Sequence, residues 1–376
     1  MKEGSTMFSE KADKNAKSCR FCWMCRHLCP VGLVTGKETN SPRVKGLMVS
    51  LVERGYGYTA EMAADMYECC LCEACTNDCA TGFEPPVFIR EARTRAVVEG
   101  IAPPAVQKAI DDLLAKGNLY GKKPGKLASG YADELKGLPA KAPVALHIGA
   151  TIACRAPEIA AAAIRLLKKA GVDFCVIGGE LQTGAELGDL MGFVDDVRIV
   201  ARAAAAQVDA TGAGTLVVLD PSNARMFVRE CGEWGCAPAA KVVTATSFFA
   251  GLVKSGKLKP EPLALGRVTL HDPCRLARDL DESQPSRDLV AAMGLDFKEM
   301  FLHGRMTKCC GGVILNNHSP QLTDLTSVGR WEDAARTGAK TVITACPGCH
   351  DVLGKKTPEG MRVEDIFVLL AKACGV

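Results

Sequence analysis

The first part of the chain carries apolar residues at helical spacing. Residues 44–52 place valine, leucine and methionine side chains on one face of a helix, and Pro42 stands where a helix can begin. Segments 59–67, 85–99 and 104–114 are predicted to form further helices. This part of the chain is therefore expected to be helical.

The later part of the chain repeats itself with an offset of about 124 residues. Residues 144–147 return as 268–271, and the run 215–221 returns as 341–347. Such self-similarity predicts two copies of one unit, packed as a pseudo-symmetric pair. Short β-branched runs followed by alanine-rich helical stretches, such as 159–170, favour parallel strands covered by helices.

A length of 376 residues favours two or three domains. Glycine and proline, including Pro124, are dense between residues 117 and 130, which is typical of a connector. The predicted fold class is α+β multidomain, with a helical domain followed by two pseudo-repeated α/β units. The expected bounds are 1–100 for the helical domain, 101–142 for the linker, and 143–260 and 261–376 for the two α/β units.

Composition narrows the class of protein. With 48% hydrophobic and 24% charged residues, the chain is expected to be globular and able to bury large cores. A net charge of +3, with basic residues spread beside nearly as many acids, gives no sign of nucleic-acid binding. Residues 1–17 are polar, and no apolar run is long enough for a membrane helix. We therefore expect a cytoplasmic protein.

Nineteen cysteines are the outlying feature of the composition. Without export, disulfides are improbable, and metal or redox use is the better interpretation. Eight of the cysteines form two runs with the spacing C-x-x-C-x-x-C-x-x-x-C, which is typical of bacterial ferredoxins and suits a 4Fe-4S cluster. The runs are Cys19, Cys22, Cys25 and Cys29, and then Cys69, Cys72, Cys75 and Cys79.

The fourth cysteine of each run is expected to cross to the other cluster, as it does in two-cluster ferredoxins. Cluster 1 would then be held by Cys19, Cys22, Cys25 and Cys79, and cluster 2 by Cys69, Cys72, Cys75 and Cys29. A zinc site or a disulfide knot is the alternative, which two matched runs disfavour. Ala80 departs slightly from the pattern, because Pro30 follows the first run. Cys70 is interpreted as a small buried hydrophobe.

A third group of cysteines lies in the second repeat. It comprises Cys274, Cys309, Cys310, Cys346 and Cys349. The adjacent pair in its middle does not suit an ordinary cubane, and Gly311 and Gly312 after the pair can take positive φ or let the backbone approach a cluster. A thioredoxin-type dithiol is an alternative for residues 346–349, but it leaves the other three cysteines unexplained.

These five cysteines resemble the CCG-domain motif of heterodisulfide reductase catalytic subunits and of related iron–sulfur subunits, such as that of glycolate oxidase. In that family the five cysteines hold a noncubane iron–sulfur cluster, so the resemblance implies the same cofactor here. The widely separated N-terminal runs resemble the all-helical ferredoxin domain of heterodisulfide reductase C subunits and of succinate dehydrogenase. The whole chain resembles a fusion of a C-subunit-like ferredoxin module and a B-subunit-like CCG module. The D subunit of heterodisulfide reductase has this arrangement.

The first repeat lacks the five cysteines. Aligning the repeats puts Ala150, Asp220 and Asn223 at the positions of Cys274, Cys346 and Cys349, with Val176 and Ile177 opposite the adjacent pair. We therefore expect a degenerate CCG unit without a cluster, which acts as a scaffold. Its own cysteines, Cys154, Cys175, Cys231 and Cys236, are expected to be structural, the alternative being that one or two line a site between the repeats.

Four side chains adjoin the five cysteines in sequence: His271, Arg275, Lys308 and His350. They can tune a cluster's potential by hydrogen bonds or charge, or supply protons to a substrate. Structural roles are an equal alternative, since His271 has a counterpart in His147 of the first repeat. Apart from this assistance, the residues that carry catalysis are not assigned by the sequence.

Two cubanes and one noncubane cluster would form a series of redox centres. We expect an iron–sulfur subunit of an oxidoreductase complex that relays electrons between a flavoprotein partner, which carries the flavin, and an acceptor. A further redox protein or a membrane quinone-linked subunit is an additional partner, through which the chain would associate with a membrane. The alternatives are a heterodisulfide or disulfide reductase, which the single intact CCG motif disfavours, and an iron–sulfur sensor.

Overall fold

The computed structural model describes residues 8–123, 125–179 and 181–376. Pro124 of the predicted connector and residues 1–7 of the polar N-terminus lie outside the described residues. The expected α+β architecture is confirmed, because the N-terminal part is helical and two small parallel sheets follow it. Among the described helices, none has the length and apolar character needed to cross a bilayer.

The N-terminal part is built of short helices, several of which begin at recognisable caps. The hydroxyl of Ser41 accepts the N–H of Val44 at the start of the third helix, and Thr59 caps the fourth in the same way. The predicted helices in this region are thus confirmed. The helices are α1 Glu10–Lys17, α2 Pro30–Thr35, α3 Pro42–Glu53, α4 Ala60–Tyr67, α5 Ala74–Asn77, α6 Pro85–Val98 and α7 Pro104–Lys116.

The first α/β unit follows two short helical turns, Leu127–Gly130 and Ala132–Leu135. Its strands are β1 Val144–His147, β2 Phe174–Ile177, β3 Thr215–Val218 and β4 Lys241–Thr244. Its helices are α8 Ala150–Arg155, α9 Pro157–Lys169, α10 Ala185–Met191, α11 Asp195–Ala210, α12 Pro221–Arg225, α13 Cys231–Glu233 and α14 Ala245–Lys254. A π-helical turn, Met226–Glu230, joins α12 to α13.

The second unit likewise alternates four strands with helices. Its strands are β5 Arg267–His271, β6 Asp296–Phe297, β7 Thr341–Thr344 and β8 Arg362–Asp365. Its helices are α15 Gln284–Ala292, α16 Gly312–His318, α17 Pro320–Ala335, α18 Pro347–Gly354 and α19 Ile366–Ala373. A π-helical turn, Arg275–Asp279, follows β5.

The two sheets have the same topology. Their strand orders are β2-β1-β3-β4 and β6-β5-β7-β8, with every pair parallel. The predicted repeat of an α/β unit is therefore confirmed. One apolar core is shared by both units, since Leu146 and Val217 of the first sheet belong to the same buried cluster as Leu270 and Ile343 of the second. This shared core fixes the two units against each other.

The loops that carry the candidate residues leave the carboxyl ends of the central strands. Cys274 follows β5, and Cys346 follows β7, its neighbour in the sheet. In the first unit, Ala150 and Asp220 follow β1 and β3 in the same way. Because ligands of parallel sheets bind outside the carboxyl ends of the strands, this topology brings the cysteine-bearing loops together.

A buried group of charges joins the three parts of the molecule. Asp189 of α10 pairs with Arg275 of the second unit at 2.5 Å, with Arg90 of α6 at 3.4 Å and with Arg225 at 3.5 Å. Burial by itself would raise the pKa of Asp189, but the three arginines lower it to about 2. The carboxylate therefore stays charged and holds cations from the helical part and both repeats.

Asp189→Asn is expected to lower the free energy of unfolding by about 3–5 kcal/mol, because it leaves buried guanidinium groups without their anion. The depressed pKa means that this stabilisation is complete above the ordinary Asp pKa and is lost as the pH falls towards 2. Urea and thermal unfolding of cluster-loaded protein at pH 7 would measure the change. Asp195→Asn, which breaks the exposed pair with Arg198, is the control and should change stability by less than about 1 kcal/mol. Equal effects would contradict the assignment.

Candidate metal centres

The two N-terminal runs line two separate cavities. The first cysteine cavity is lined by Cys19, Cys22, Cys25 and Cys79. The second cysteine cavity is lined by Cys29, Cys69, Cys72 and Cys75, and also by Cys70. The fourth cysteine of each run thus lies with the first three of the other run. This grouping is the one expected for crossed ligation, which stays a prediction because the structure contains no metal.

The backbone wraps each cavity in the same strained way. Phe21 and Trp23, on either side of Cys22, have φ of 57° and 69°, and Leu71 and Glu73, on either side of Cys72, have 50° and 60°. Non-glycine residues rarely adopt positive φ and do so mainly at functional sites. The turn directs backbone N–H groups at sulfur, since Phe21 N lies 3.4 Å from the Cys19 Sγ. Two runs sharing this turn fit two similar ligands.

The second cavity carries a buried lysine, whose pKa is lowered by burial. Lys45 of α3 lines it, and its ammonium group donates to the carbonyl oxygens of Thr39, at 3.2 Å, and Asp65. Burial raises the pKa of Cys29 to about 12 and, with repulsion from Cys69, raises that of Cys75 well above the ordinary value. A thiolate cluster would supply a negatively charged partner for the ammonium group of Lys45.

All five cysteines of the second repeat line one cavity of about 70 Å³, here called the five-cysteine cavity. The Sγ atoms of Cys274 and Cys309 are 4.0 Å apart. Cys70 lines this cavity as well as the second one, and its thiol, like that of Cys72, interacts with Cys309. The second and five-cysteine cavities are therefore immediate neighbours.

Local structure explains how the adjacent pair reaches the cavity. Gly311 has φ of 109°, and a Cβ at this position would lie 2.4 Å from Oγ1 of Thr326. Gly312 also has positive φ, 71°, but a Cβ there would meet nothing within 4 Å. The prediction of positive φ after Cys310 is confirmed. Only at Gly311 does the close approach of α17 exclude every other residue.

The thiols of the five-cysteine cavity cannot all ionise by themselves. Hydrogen bonds with Cys309 and Cys349 lower the pKa of Cys310 to about 5. In turn, the pKa of Cys349 is raised well above its ordinary value, first by its hydrogen bond to Cys310, and that of Cys274 by its hydrogen bond to Cys309. Packed thiolates need a positive partner, and iron bound by all five would provide it. The donor set thus fits an iron–sulfur centre.

His271 and Arg275 adjoin this site in space as well as in sequence. The ring of His271 accepts the N–H of Arg330 Nε through Nδ1 at 3.0 Å, which leaves its Nε2 as the protonated nitrogen. Nε2 has no hydrogen-bond partner in the described residues, and one ring nitrogen lies within 4.8 Å of the thiols of Cys310 and Cys349. Arg275 lines the cavity. These positions suit tuning of a cluster by hydrogen bonding and charge.

Lys308 and His350 do not line the five-cysteine cavity within the described structure. The ammonium group of Lys308 pairs with Asp333 at 2.5 Å, and the backbone N–H of His350 belongs to the first turn of α18. The four cysteines of the first repeat are also absent from the lining: Cys154, Cys175, Cys231 and Cys236. Cys175 and Cys231 are instead buried in the core of that unit, which fits the expected structural role.

Two contributors were missed from the sequence. Arg278, one turn after Arg275, donates to the carbonyl of Cys72 at 2.5 Å and to that of Thr307 at 2.7 Å, and so links the second cysteine run to the loop before Cys309. Cys70 was interpreted as an apolar residue, yet it lies between two cysteine cavities. The unusual Cys69-Cys70 pair was the available signal for it. Nothing local in the sequence marks Arg278.

The cysteine-rich domain family CCG matches residues 268–354. A probable membrane-anchored ferredoxin of Chromohalobacter salexigens is 28% identical, over 83% of this chain and 48% of the relative. The chain therefore spans about half the length of that protein. The D subunit of dihydromethanophenazine:CoB–CoM heterodisulfide reductase from Methanosarcina acetivorans is 27% identical, over 96% of this chain and 94% of the relative. The B subunit of fumarate reductase (CoM/CoB) from Methanothermobacter marburgensis is 25% identical, over 96% of this chain and 73% of the relative.

The resemblance inferred from the cysteines is thereby confirmed. Residues 268–354, within the second repeat, match the CCG domain. It is similar to the heterodisulfide reductase D subunit along nearly the whole length of both proteins. The matches include both ferredoxin-like runs as well as the CCG part, because they cover 96% of this chain.

Gly311→Ala is expected to abolish iron binding at the five-cysteine cavity, because its Cβ would collide with Thr326 at a backbone conformation that costs about 1–3 kcal/mol for other residues. Gly312→Ala carries a similar backbone strain without a collision, and should retain the iron with a modest loss of thermal stability. Iron and sulfide analysis of anaerobically prepared variants, with electron paramagnetic resonance (EPR), measures the difference. Equal iron content in both variants would contradict the steric explanation.

Proposed function

We propose that this chain is an iron–sulfur electron-transfer subunit of an oxidoreductase complex, with two cubane clusters and one noncubane cluster. Cluster 1 would be held by Cys19, Cys22, Cys25 and Cys79, and cluster 2 by Cys69, Cys72, Cys75 and Cys29. The noncubane cluster would be held by Cys274, Cys309, Cys310, Cys346 and Cys349. When bound, these clusters supply one-electron redox chemistry. The chain fixes their order, charge and access to solvent.

The proposal rests on the contact between the second cavity and the five-cysteine cavity. Cys72, a proposed ligand of cluster 2, packs in one buried group with Cys309, a proposed ligand of the noncubane cluster. The first and second cavities are also close to each other, because the thiols of Cys25 and Cys75 interact electrostatically. Three cysteine cavities therefore follow one another in space. This arrangement supports electron transfer along the series.

The ends of the series differ in exposure. Cys22 is exposed beside Phe21, Trp23 and Met24, which are 49%, 36% and 50% exposed. The guanidinium of Arg43 stacks 3.6 Å from the centre of the Trp23 ring, which keeps this aromatic surface in place. The cysteines of the five-cysteine cavity, by contrast, are mostly buried. We place the docking site of a redox partner at the exposed end.

The partner would be a flavoprotein that exchanges electrons with cluster 1. Several relatives are named as subunits of multi-subunit redox enzymes, and this supports a role within a complex. Exposed basic residues beside the aromatic surface, Arg20 and Arg26, favour a partner with an acidic docking face. Membrane association would then come through a further partner.

Crossed ligation predicts which cysteine variants lose the same cluster. Cys79→Ala should remove the EPR signal that Cys22→Ala also removes, whereas Cys29→Ala should remove the one lost in Cys75→Ala. Cys346→Ala should affect only the third signal, and Cys231→Ala, outside all three cavities, is the control that should keep every signal. Anaerobic reductive titration of each variant measures this. Loss of the same EPR signal in Cys79→Ala and Cys75→Ala would show uncrossed ligation. Retention of all signals in Cys346→Ala would contradict the third site.

Reversing the charge of Arg26 tests the docking site. Arg26→Glu should slow reduction of the chain by a reduced acidic flavodoxin by about tenfold at low salt, since steering charges change association rates by roughly 10–1,000-fold. Reduction by dithionite, which needs no docking, should be unchanged. Arg336→Glu reverses a remote exposed charge and is the control. Stopped-flow absorbance would measure the rates, and equal slowing in both variants would place docking elsewhere.

A further inference from the structure

The five-cysteine cavity has a second wall, made by the repeat without cysteines. This wall faces the cysteines of the other repeat and is lined by Thr151, Glu186, Asp189, Asp220 and Ser222. Asp220 stands after β3 at the position that Cys346 holds after β7. The first repeat has therefore placed carboxyl groups at the cavity, where the second repeat has thiols.

The three carboxyl groups of this wall differ in their partners. Asp189 is neutralised by three arginines and stays ionised. Neither Glu186 nor Asp220 forms an ion pair with any residue in the described part of the chain, and Asp220 accepts the backbone N–H of Ser222 at 2.8 Å. Arg275, whose guanidinium interacts electrostatically with both, is already bound by Asp189 and Asp279. Glu186 and Asp220 are thus the carboxyl groups free to change protonation.

Their electrostatic surroundings bring that change into the neutral range. Burial, then repulsion from Asp220, raises the pKa of Glu186 to about 7. Burial raises the pKa of Asp220 to about 6, against the opposing effect of its hydrogen bond from Ser222. The remaining charged or titratable groups that face them are Asp189, Arg275, Tyr120 and the cavity thiols. An electron added among the thiols would raise both carboxyl pKa values further, because it adds negative charge nearby.

A route for protons leads to this wall. The hydroxyl of Tyr120 is 3.1 Å from that of Thr151, which lines the cavity. Tyr120 as a whole is half-buried whereas Thr151 is buried, so Tyr120 is the more exposed member of this hydroxyl pair. Two hydroxyls within hydrogen-bonding distance can pass a proton between them.

We propose that Glu186 and Asp220 form a proton store for the five-cysteine centre. With each electron that reaches the centre, one carboxylate takes up one proton from solvent and becomes a carboxylic acid. A substrate reduced there then receives electrons and protons together: a disulfide gains two of each and leaves as two thiols, with the electrons supplied by the redox partner. This inference rests on the proposed function, because it requires the noncubane cluster.

The wild-type protein provides the first test. EPR-monitored redox titrations of the noncubane signal between pH 6 and 8.5 should give a potential that rises as the pH falls. One proton per electron corresponds to about 59 mV per pH unit, the potential equivalent of a tenfold change in a one-electron equilibrium. A potential that does not change with pH would overturn the proton store. Absence of the noncubane signal would overturn the proposed function as well, so the two failures are distinguishable.

Variants assign the proton to its carriers. Glu186→Gln and Asp220→Asn keep the size of each side chain, and Asn can still accept the Ser222 N–H, so both should assemble the centre but reduce the pH dependence. Asp365→Asn removes another buried carboxyl whose pKa is raised to about 7 but which caps α19 away from the cavity, and it should leave the wild-type slope. An unchanged slope in Glu186→Gln and Asp220→Asn would overturn the assignment.

Redox-difference infrared spectroscopy of the wild-type protein covers the case in which a variant fails to assemble. Reduction at pH 7.5 should produce a carboxylic acid C=O band that shifts in D₂O. Its absence would overturn the proposal without reference to any variant.

Discussion

The architecture depends on one buried carboxylate. Asp189 binds cations from the helical part and from both repeats, and Arg275, its shortest contact, also donates to the carbonyl of Leu71 at 3.0 Å. Burying such charges is costly, so a network of this kind does not add stability simply by existing. It does exclude alternative arrangements, because any other docking of the three parts would leave buried charges unpaired. That restriction holds the second cysteine run against Cys309.

The two repeats show how one fold supports different chemistry. Both have the same parallel strand order, and both place their variable loops at the carboxyl ends of the central strands. In the second repeat these loops supply thiols, and in the first they supply Asp220 and Thr151. Because the repeats share one apolar core, the loops of both face one cavity. The first repeat is therefore more than the scaffold expected from its missing cysteines, since it forms part of the cavity wall.

The sequence predicted what depends on local spacing. Helix starts such as that at Pro42, the repeated strands and the glycine conformations after Cys310 follow from short-range rules. Contributors defined by tertiary contacts were not predictable, because their neighbours lie far away in the chain. Arg278 contacts a carbonyl about 200 residues earlier, and Glu186 has no surrounding motif. The position of Cys70 was not predictable for the same reason, since only the docked fold shows that it borders two cavities.

The distribution of buried cations explains how such a series can stay folded with anionic clusters inside it. Lys45 lies at the second cavity and Arg275 at the third, while the first cavity has Arg43 in its lining and includes the exposed Cys22. Water can screen charge at the first site, but the inner sites need fixed cations because a low dielectric strengthens repulsion. Charge placement would thus permit burial of the proposed clusters.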